Sequence, residues 1–320
     1  MALPRYIPSF LASLQGEYLP TAIEKISQRY LKLSNEKSKE LMNEAGLDLD
    51  SVGHAGKERD VLSVLVRANR EEDPRKRLSE AEILAQMSSV KETLIQAGHH
   101  TTGYTLSWIF YELSVHPGDQ AKVYEEIKQA REVNPGELTS SDYESMTHLT
   151  LILKEALRLH PVVPTVDREA VKNDVLLLDF PVVSESGKSI SEVPVNEGQR
   201  IRVDISTYNR LESVWGEDAS QWSPQRHLHL DSEEKKQAQV GLFANILTFS
   251  GGPKGCIGWR FALMELEAII VGLLERFEFS IPPGLEIEPE FPVLAVPTVK
   301  GKENEGPQLP LRITPRRLIR

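Results

Sequence analysis

One cysteine, Cys256, occurs in the 320 residues, so no internal disulfide framework can form and the chain suits a reducing compartment. No apolar run reaches the roughly 18 residues that a membrane-spanning helix needs. The start, Met1-Ala2-Leu3-Pro4-Arg5, lacks the charged-then-apolar order of a signal peptide. Basic side chains are outnumbered: 37 Lys and Arg against 47 Asp and Glu leave a net charge of −10, which argues against a nucleic-acid binder. There is no internal repeat, no low-complexity tract and no sustained heptad. What remains is a 40% apolar chain, long enough for one large domain or two ordinary ones.

In chain order, residues 1–20 read as a proline-punctuated entering segment. Helical spacing runs from Thr21 to about Ala45, a glycine-bearing loop covers 46–57, and a short helix spans Asp60 to Arg70. Ser79-x-x-Glu82 is a capping box that opens a pattern running to Val115, where His116-Pro117-Gly118 ends it. Such a long helix reads as a central spine, 79–116. Its middle, Ala97-Gly98-His99-His100-Thr101-Thr102, carries a glycine that costs about 1 kcal/mol relative to alanine. Close helix packing explains it as well as a local opening against a ligand. The two histidines point about 100° apart and do not share a metal face.

Helices follow over Gly118–Val133 and Thr139–His160, the second with Ser141-x-x-Glu144 as a possible cap. Its part 149–160 holds Glu155-x-x-Arg158, a spacing that alone predicts an ordinary surface pair. The same spacing at Glu72-Asp73-Pro74-Arg75 is a decoy, broken by proline. Two apolar runs, Val175–Leu178 and Pro181–Val183, and an alternating strand, Ile201–Ile205, mark β structure. A charged stretch at 231–240 reads as an exposed insertion. Residues 279–320 read as a small terminal sheet.

Cys256 lies in Phe249-Ser250-Gly251-Gly252-Pro253-Lys254-Gly255-Cys256-Ile257-Gly258, which runs into an amphipathic stretch, Trp259–Phe277. A lone cysteine is usually an inert small core residue. Here glycines let the backbone approach a flat cofactor, and a thiolate is a soft ligand that holds iron porphyrin in one class of enzymes. The pattern Phe-x-x-Gly-x-x-x-Cys-x-Gly closely resembles the haem-binding loop of the cytochrome P-450 family. The family usually has arginine where this chain has Lys254.

Three further segments resemble that family in its own order. Ala97–Thr102 is similar to its oxygen-binding groove, with His100 in place of an acidic residue. Leu153-Lys154-Glu155-Ala156-Leu157-Arg158 resembles its Glu-x-x-Arg helix, and Trp222-Ser223-Pro224-Gln225-Arg226 its aromatic-x-Pro-x-Arg loop. Trp215-Gly216-Glu217-Asp218 has eukaryotic, fungal-type phrasing.

The resemblance implies a mostly α fold with small β-sheets: a single cytochrome P-450 domain, N-terminally truncated, with its membrane anchor and part of the first sheet missing. Cys256 would ligate the iron of haem b, with Phe249, Gly252, Lys254, Gly258 and Arg168 as the other cofactor-binding residues. Lys254 and Arg168 would meet the propionates. Thr101, with Gly98 and His100, would handle oxygen and protons. Glu155, Arg158 and Arg226 would form a buried structural network. Val162–Val166 and Ala295–Pro297 would line the substrate pocket. The implied activity is a monooxygenase acting on a small apolar substrate with O2 and an NADPH-dependent reductase, as a monomer. Full-length relatives are anchored to the endoplasmic reticulum and face the cytosol. A non-catalytic fragment with weak haem binding, and a haem-dependent isomerase or dehydratase, remain as alternatives.

Overall fold

The computed structural model describes residues 69, 72–230, 240–291 and 293–316. The expected entering segment, the helix over 21–45, the loop over 46–57, all of the 60–70 helix except Asn69, and nearly all of the 231–240 insertion lie outside them. The chain divides into two units, Met1–His100 and Thr101–Arg320, with the division falling inside the long helix α1, Glu80–Val115.

In the first unit the Asn69 side chain brackets Leu78, accepting its N–H at 2.7 Å and donating to its carbonyl at 3.1 Å. Pro74 sits in a turn closed by Lys76 N–H on Asp73 O at 2.7 Å, so the decoy Glu-x-x-Arg spacing is indeed not helical. The capping box at the start of α1 is formed: Ser79 N–H donates to Glu82 Oε2 at 2.8 Å, and Glu82 N–H returns to Ser79 Oγ at 3.4 Å.

The second unit is built on the end of α1, on α2 (Pro117–Val133), α3 (Ser140–Ser145), α4 (Thr147–Leu159) and α8 (Trp259–Leu274), with three short helices between: α5 (Ile205–Tyr208), α6 (Glu212–Trp215) and α7 (Arg226–Leu230). Its core joins one face of each long helix. Ile109 and Leu113 of α1, Val123 and Ile127 of α2, Leu149, Ile152 and Leu153 of α4, and Leu266 and Ile270 of α8 are all within one cluster closed by Phe279. Their i, i+3, i+4 spacing is what a helix needs to present a continuous apolar stripe.

The expected single helix over 139–160 is two helices, α3 and α4, separated at Met146. Thr139, rather than Ser141, caps the first, in a box with Asp142. Met146 is buried in the core, and the opening amides of α4 are taken by another helix: Glu126 accepts His148 N–H at 2.6 Å and Leu149 N–H at 3.0 Å. That carboxylate satisfies amides which would otherwise require the helix to continue.

Among the described residues the strands form four two-stranded antiparallel sheets: β1 (Thr165–Glu169) with β4 (Arg200–Asp204), β2 (Asp174–Val183) with β3 (Ser189–Val195), β5 (Phe277–Ser280) with β8 (Arg312–Pro315), and β6 (Ile287–Glu290) with β7 (Val296–Val299). The two apolar runs expected at 175–183 are one strand, β2, with an irregular register between Leu177 and Val182. Its apolar side chains are not core: Leu177 is 80% and Phe180 75% exposed. The terminal region holds two separate sheets rather than one. Ile205, expected to end a strand, instead opens α5, whose N-cap Asp204 accepts Thr207 N–H.

Pro117 stops α1 and leaves the Leu113 carbonyl without the i+4 amide it would use, because proline has no N–H. Gln120 repairs this. Its Nε2 donates to Leu113 O and to Phe279 O, both at 2.9 Å, while its Oε1 accepts Phe279 N–H at 2.9 Å. Gln120→Leu therefore strips three buried backbone groups of a partner and is expected to cost about 3 kcal/mol, read as a fall in the urea midpoint. Gln129→Leu, on an exposed face of the same helix, is the comparison and should shift it by no more than about 0.5 kcal/mol.

Candidate functional site

Glu155 and Arg158 are both fully buried on α4. The guanidinium grips the carboxylate with two parallel bonds, Nε to Oε2 and Nη2 to Oε1, each 2.8 Å. This is the pair that spacing alone would have left at the surface. Arg226, from the start of α7, adds Nε to Oε1 at 3.0 Å, and the Ser223 amide reaches the same oxygen at 2.8 Å. The expected network of Glu155, Arg158 and Arg226 is thus present. Arg158 also ties down the chain that follows, donating Nη1 to Asn209 O at 2.8 Å and Nη2 to Gln221 O at 3.2 Å.

Two members were not expected. Asp218 accepts both terminal nitrogens of Arg226, at 3.0 and 3.1 Å, so two cations meet two carboxylates and the cluster is neutral. His227, buried one residue beyond Arg226, places Nε2 3.0 Å from Glu155 Oε2. Asp218 lies in the Trp-Gly-Glu-Asp turn and His227 directly follows the Arg motif, so adjacency was the only signal for either. Burial pushes the Glu155 carboxyl up, but the Arg158 and His227 hydrogen bonds outweigh it and hold it down at about 2. Burial lowers the His227 imidazole against the opposing pull of Glu155.

The cysteine loop lies between this network and α8. Phe249 is half-buried, edge-on to Phe243 at 6.4 Å, and packs on the cluster formed by Leu157, Trp215, Ile246 and Leu263. Ser250 adopts a left-handed φ of 57°, uncommon for a residue with a side chain, and is stabilised by its N–H on Leu247 O at 2.7 Å. Gly251 is compelled to be glycine by backbone contact, whereas a Cβ at Gly255 would meet mainly a side-chain end that can move. A Cβ at Gly251 would lie 2.4 Å from Val240 O, and one at Gly255 would lie 2.7 Å from Leu242 Cδ1. At Gly252 and Gly258 a Cβ would meet nothing within 4 Å among the described residues, though Gly252 sits at a left-handed φ of 64° that favours glycine. The loop closes with Cys256 N–H on Phe249 O at 2.9 Å, and the thiol is exposed. Lys254 is also exposed, in the single 3-10 turn Gly252–Lys254.

An exposed soft donor, a nearby lysine and a glycine-lined face fit a flat anionic porphyrin, so the residues present are suited to haem. Arg168 is on β1 opposite Ile201, exposed, with its guanidinium on Asp167 O at 2.9 Å. Thr101 is half-buried on α1, its carbonyl accepting Thr105 Oγ1 at 2.8 Å. In the first unit, Gly98 is half-buried and a Cβ there would meet nothing within 4 Å among the described residues. His99 and His100 are exposed with rings edge-on at 5.2 Å, and no group of three potential metal ligands occurs among the described residues. Ala295–Pro297 are buried rather than lining an open pocket: Ala295 O accepts Trp108 Nε1 at 3.0 Å and Ala295 N–H reaches Val162 O at 2.8 Å. Val162 belongs to the same packed cluster.

A thiol-bearing loop running into a helix, backed by a buried Glu-x-x-Arg lock in a mostly helical fold, is the arrangement expected of a haem-thiolate protein. The family model for cytochrome P-450 matches residues 9–303, and the chain belongs to that family. A cytochrome P-450 monooxygenase of Postia placenta is 35% identical over 261 residues, covering 80% of this chain and 46% of the relative. Another from Ampulloclitocybe clavipes is 32% identical over 305 residues, covering 92% and 54%. A ganoderic acid synthetase of Ganoderma lucidum is 32% identical over 263 residues, covering 80% and 47%. These relatives are fungal, in keeping with the phrasing of the sequence. The chain spans about half the length of the curated relatives it matches.

The lock carries a pH dependence. Glu155 and His227 both titrate lower in the fold than their ordinary values of 4.5 and 6.5, so the unfolded chain binds more protons as pH falls and stability is lost toward acid. The urea midpoint should decline below about pH 6.5 through His227 and more steeply below about 4.5 through Glu155. His116, raised by its hydrogen bond to Glu112, acts in the opposite sense. The readout is therefore a difference: His227→Gln should remove the decline between pH 6.5 and 5 while leaving the steeper one, and an unchanged profile would contradict the assignment.

Proposed function

We propose that this chain supplies the haem-thiolate part of a fungal monooxygenase. The observation that carries the reading is the exposed Cys256 thiol at the end of a loop held by its own backbone and backed by the Glu155 lock. When bound, haem b supplies oxygen activation: one atom of O2 enters a small apolar substrate and the other leaves as water, with two electrons from NADPH through a reductase.

The protein's part is ligation, orientation and proton handling. Cys256 would give its thiolate to the iron, and the Phe249 carbonyl on its amide fixes the backbone from which the sulfur projects. Phe249 presents a ring beside the loop, and Gly252 and Gly258 leave room for the flat face of the cofactor. Lys254 meets a propionate as a point charge, where arginine would have made a bidentate clamp. Arg168 offers that planar fork to a propionate from β1. Thr101 supplies a hydroxyl to the proton path, the missing side chain at Gly98 leaves space for a small ligand, and His100 relays protons. The chain acts as a monomer toward its reductase.

The first test is the reduced carbon monoxide difference spectrum of the 320-residue chain supplied with haem. A thiolate-type band is expected, and Cys256→Ser should abolish it; its persistence in the variant would refute the ligand assignment. No haem uptake by a folded chain would favour the non-catalytic fragment. Product formation without NADPH consumption would favour an isomerase or dehydratase. A second test addresses the proton path: His100→Glu should raise product formed per NADPH consumed, because a carboxylate restores the family's usual group. Equal or poorer coupling would remove His100 from that path.

A further inference from the structure

Between the Glu155 lock and the Cys256 loop sits one fully buried polar side chain that belongs to none of the motifs, Asn209. It ends α5, and the roles of its partners determine the direction of each of its hydrogen bonds. The Leu247 backbone N–H can only donate, so the atom it meets at 2.9 Å is Oδ1. The Asn209 amide nitrogen then faces Thr248 Oγ1, also at 2.9 Å. Having accepted from Asn209, that hydroxyl turns its own proton to the Leu157 carbonyl at 2.6 Å. Leu157 O is free to take it because the residue four positions on is Pro161, which has no N–H. On the other side, the Asn209 backbone carbonyl receives Arg158 Nη1 at 2.8 Å.

One residue thus bonds Arg158 to the two residues that precede Phe249, and the Phe249 carbonyl holds the Cys256 amide at 2.9 Å. We propose that Asn209, acting through Leu247 and Thr248, is the positioning residue that transmits the rigidity of the Glu155–Arg158 pair to the Cys256 loop. Its consequence for metal ligation rests on Cys256 being the ligand residue proposed above; the tether itself does not. The lock and the loop are otherwise far apart in sequence. A side chain with an acceptor and a donor can take the Leu247 amide and donate to Thr248 while leaving that hydroxyl's proton for Leu157 O; aspartate could meet Thr248 only by taking that proton, and alanine or serine could not span both groups.

Amide hydrogen exchange on the full chain reads the tether without haem. Thr248→Val keeps the volume of the residue and removes the hydroxyl, leaving Asn209 Nδ2 and Leu157 O without partners. Exchange in the segment 242–258 should then rise about tenfold, the factor for one buried hydrogen bond lost to a local opening. Segments from α2 and the first half of α4 should be unchanged. Thr248→Ser, which retains the hydroxyl, should restore the original rate, and Asn209→Ala should match or exceed the valine variant. With haem supplied, the valine variant should lose part of its thiolate-type carbonyl band to the neutral-thiol type at equal haem content, which a purely global loss of stability would not produce. Exchange in 242–258 that is unchanged in Thr248→Val, or that rises equally in all segments, would overturn the proposal. A thiolate-type band surviving Cys256→Ser would defeat the ligand assignment alone and leave the exchange result standing.

Discussion

The second unit depends on a carboxylate that has no access to water. Glu155 is fully buried, and an ion removed from water costs several kcal/mol unless its surroundings replace the lost hydration. Here replacement comes from two guanidiniums, an imidazole and a backbone amide converging on two oxygens. The donors come from two places in the chain, Arg158 on α4 and the stretch holding Ser223, Arg226 and His227, so meeting the electrostatic need of one residue docks the start of α7 on α4. The cations in turn need anions. Asp218 closes that account for Arg226, and backbone carbonyls at Asn209, Ala219 and Gln221 spread the charge of Arg158. With His227 kept neutral by burial, the cluster carries no net charge, which is how so many ionisable groups can share one dry interior.

A second regularity follows from two prolines. Both α1 and α4 end at a His-Pro step, His116-Pro117 and His160-Pro161, and each proline removes the amide that a carbonyl one turn earlier would have used. Neither carbonyl is left bare. Gln120 reaches Leu113 O and Thr248 reaches Leu157 O, so each interrupted helix acquires a side-chain bond to a partner element. The histidines of both steps converge on one buried carboxylate, Glu112, with His160 Nε2 at 2.6 Å and His116 Nδ1 at 3.2 Å. Trp108 stacks flat on His160 at 4.4 Å and seals that junction from above. The ends of the two helices are therefore pinned together at the point where proline would otherwise let them fray.

What could be read in advance divides along the range of the interaction. The box at Ser79 and Glu82, the stop at Pro117 and the loop from Phe249 to Gly258 are local in sequence, and the structure has all three. The break at Met146 was not legible, because the amides it exposes are taken by Glu126, a residue from the preceding long helix. Nor was the exposure of β2, since an apolar run does not disclose whether anything packs on it. The burial of Glu155 and Arg158 was legible only through family resemblance; spacing by itself pointed to the surface. Asn209 and Gln120 were missed for one shared reason: each is an ordinary polar residue whose importance lies largely in distant partners, Leu247 and Arg158 for the first and Phe279 for the second.

The loop itself shows why a thiol can be both held and available. Positioning a side chain by packing would bury it, and a buried thiol is a poor ligand for anything arriving from outside. This chain restrains the backbone instead. The left-handed conformations at Ala244, Asn245 and Ser250 coil the approach tightly, and the bonds from Leu242 to Ser250 and from Ile246 to Phe243 compensate the strain. Gly251 then lets that coil press against the Val240 backbone where any Cβ would collide. By the time the chain reaches Cys256 its backbone direction is set and the amide is already committed to Phe249, while the thiol stays exposed. Precision in this site is a property of main-chain geometry, and the side chain is left free for chemistry.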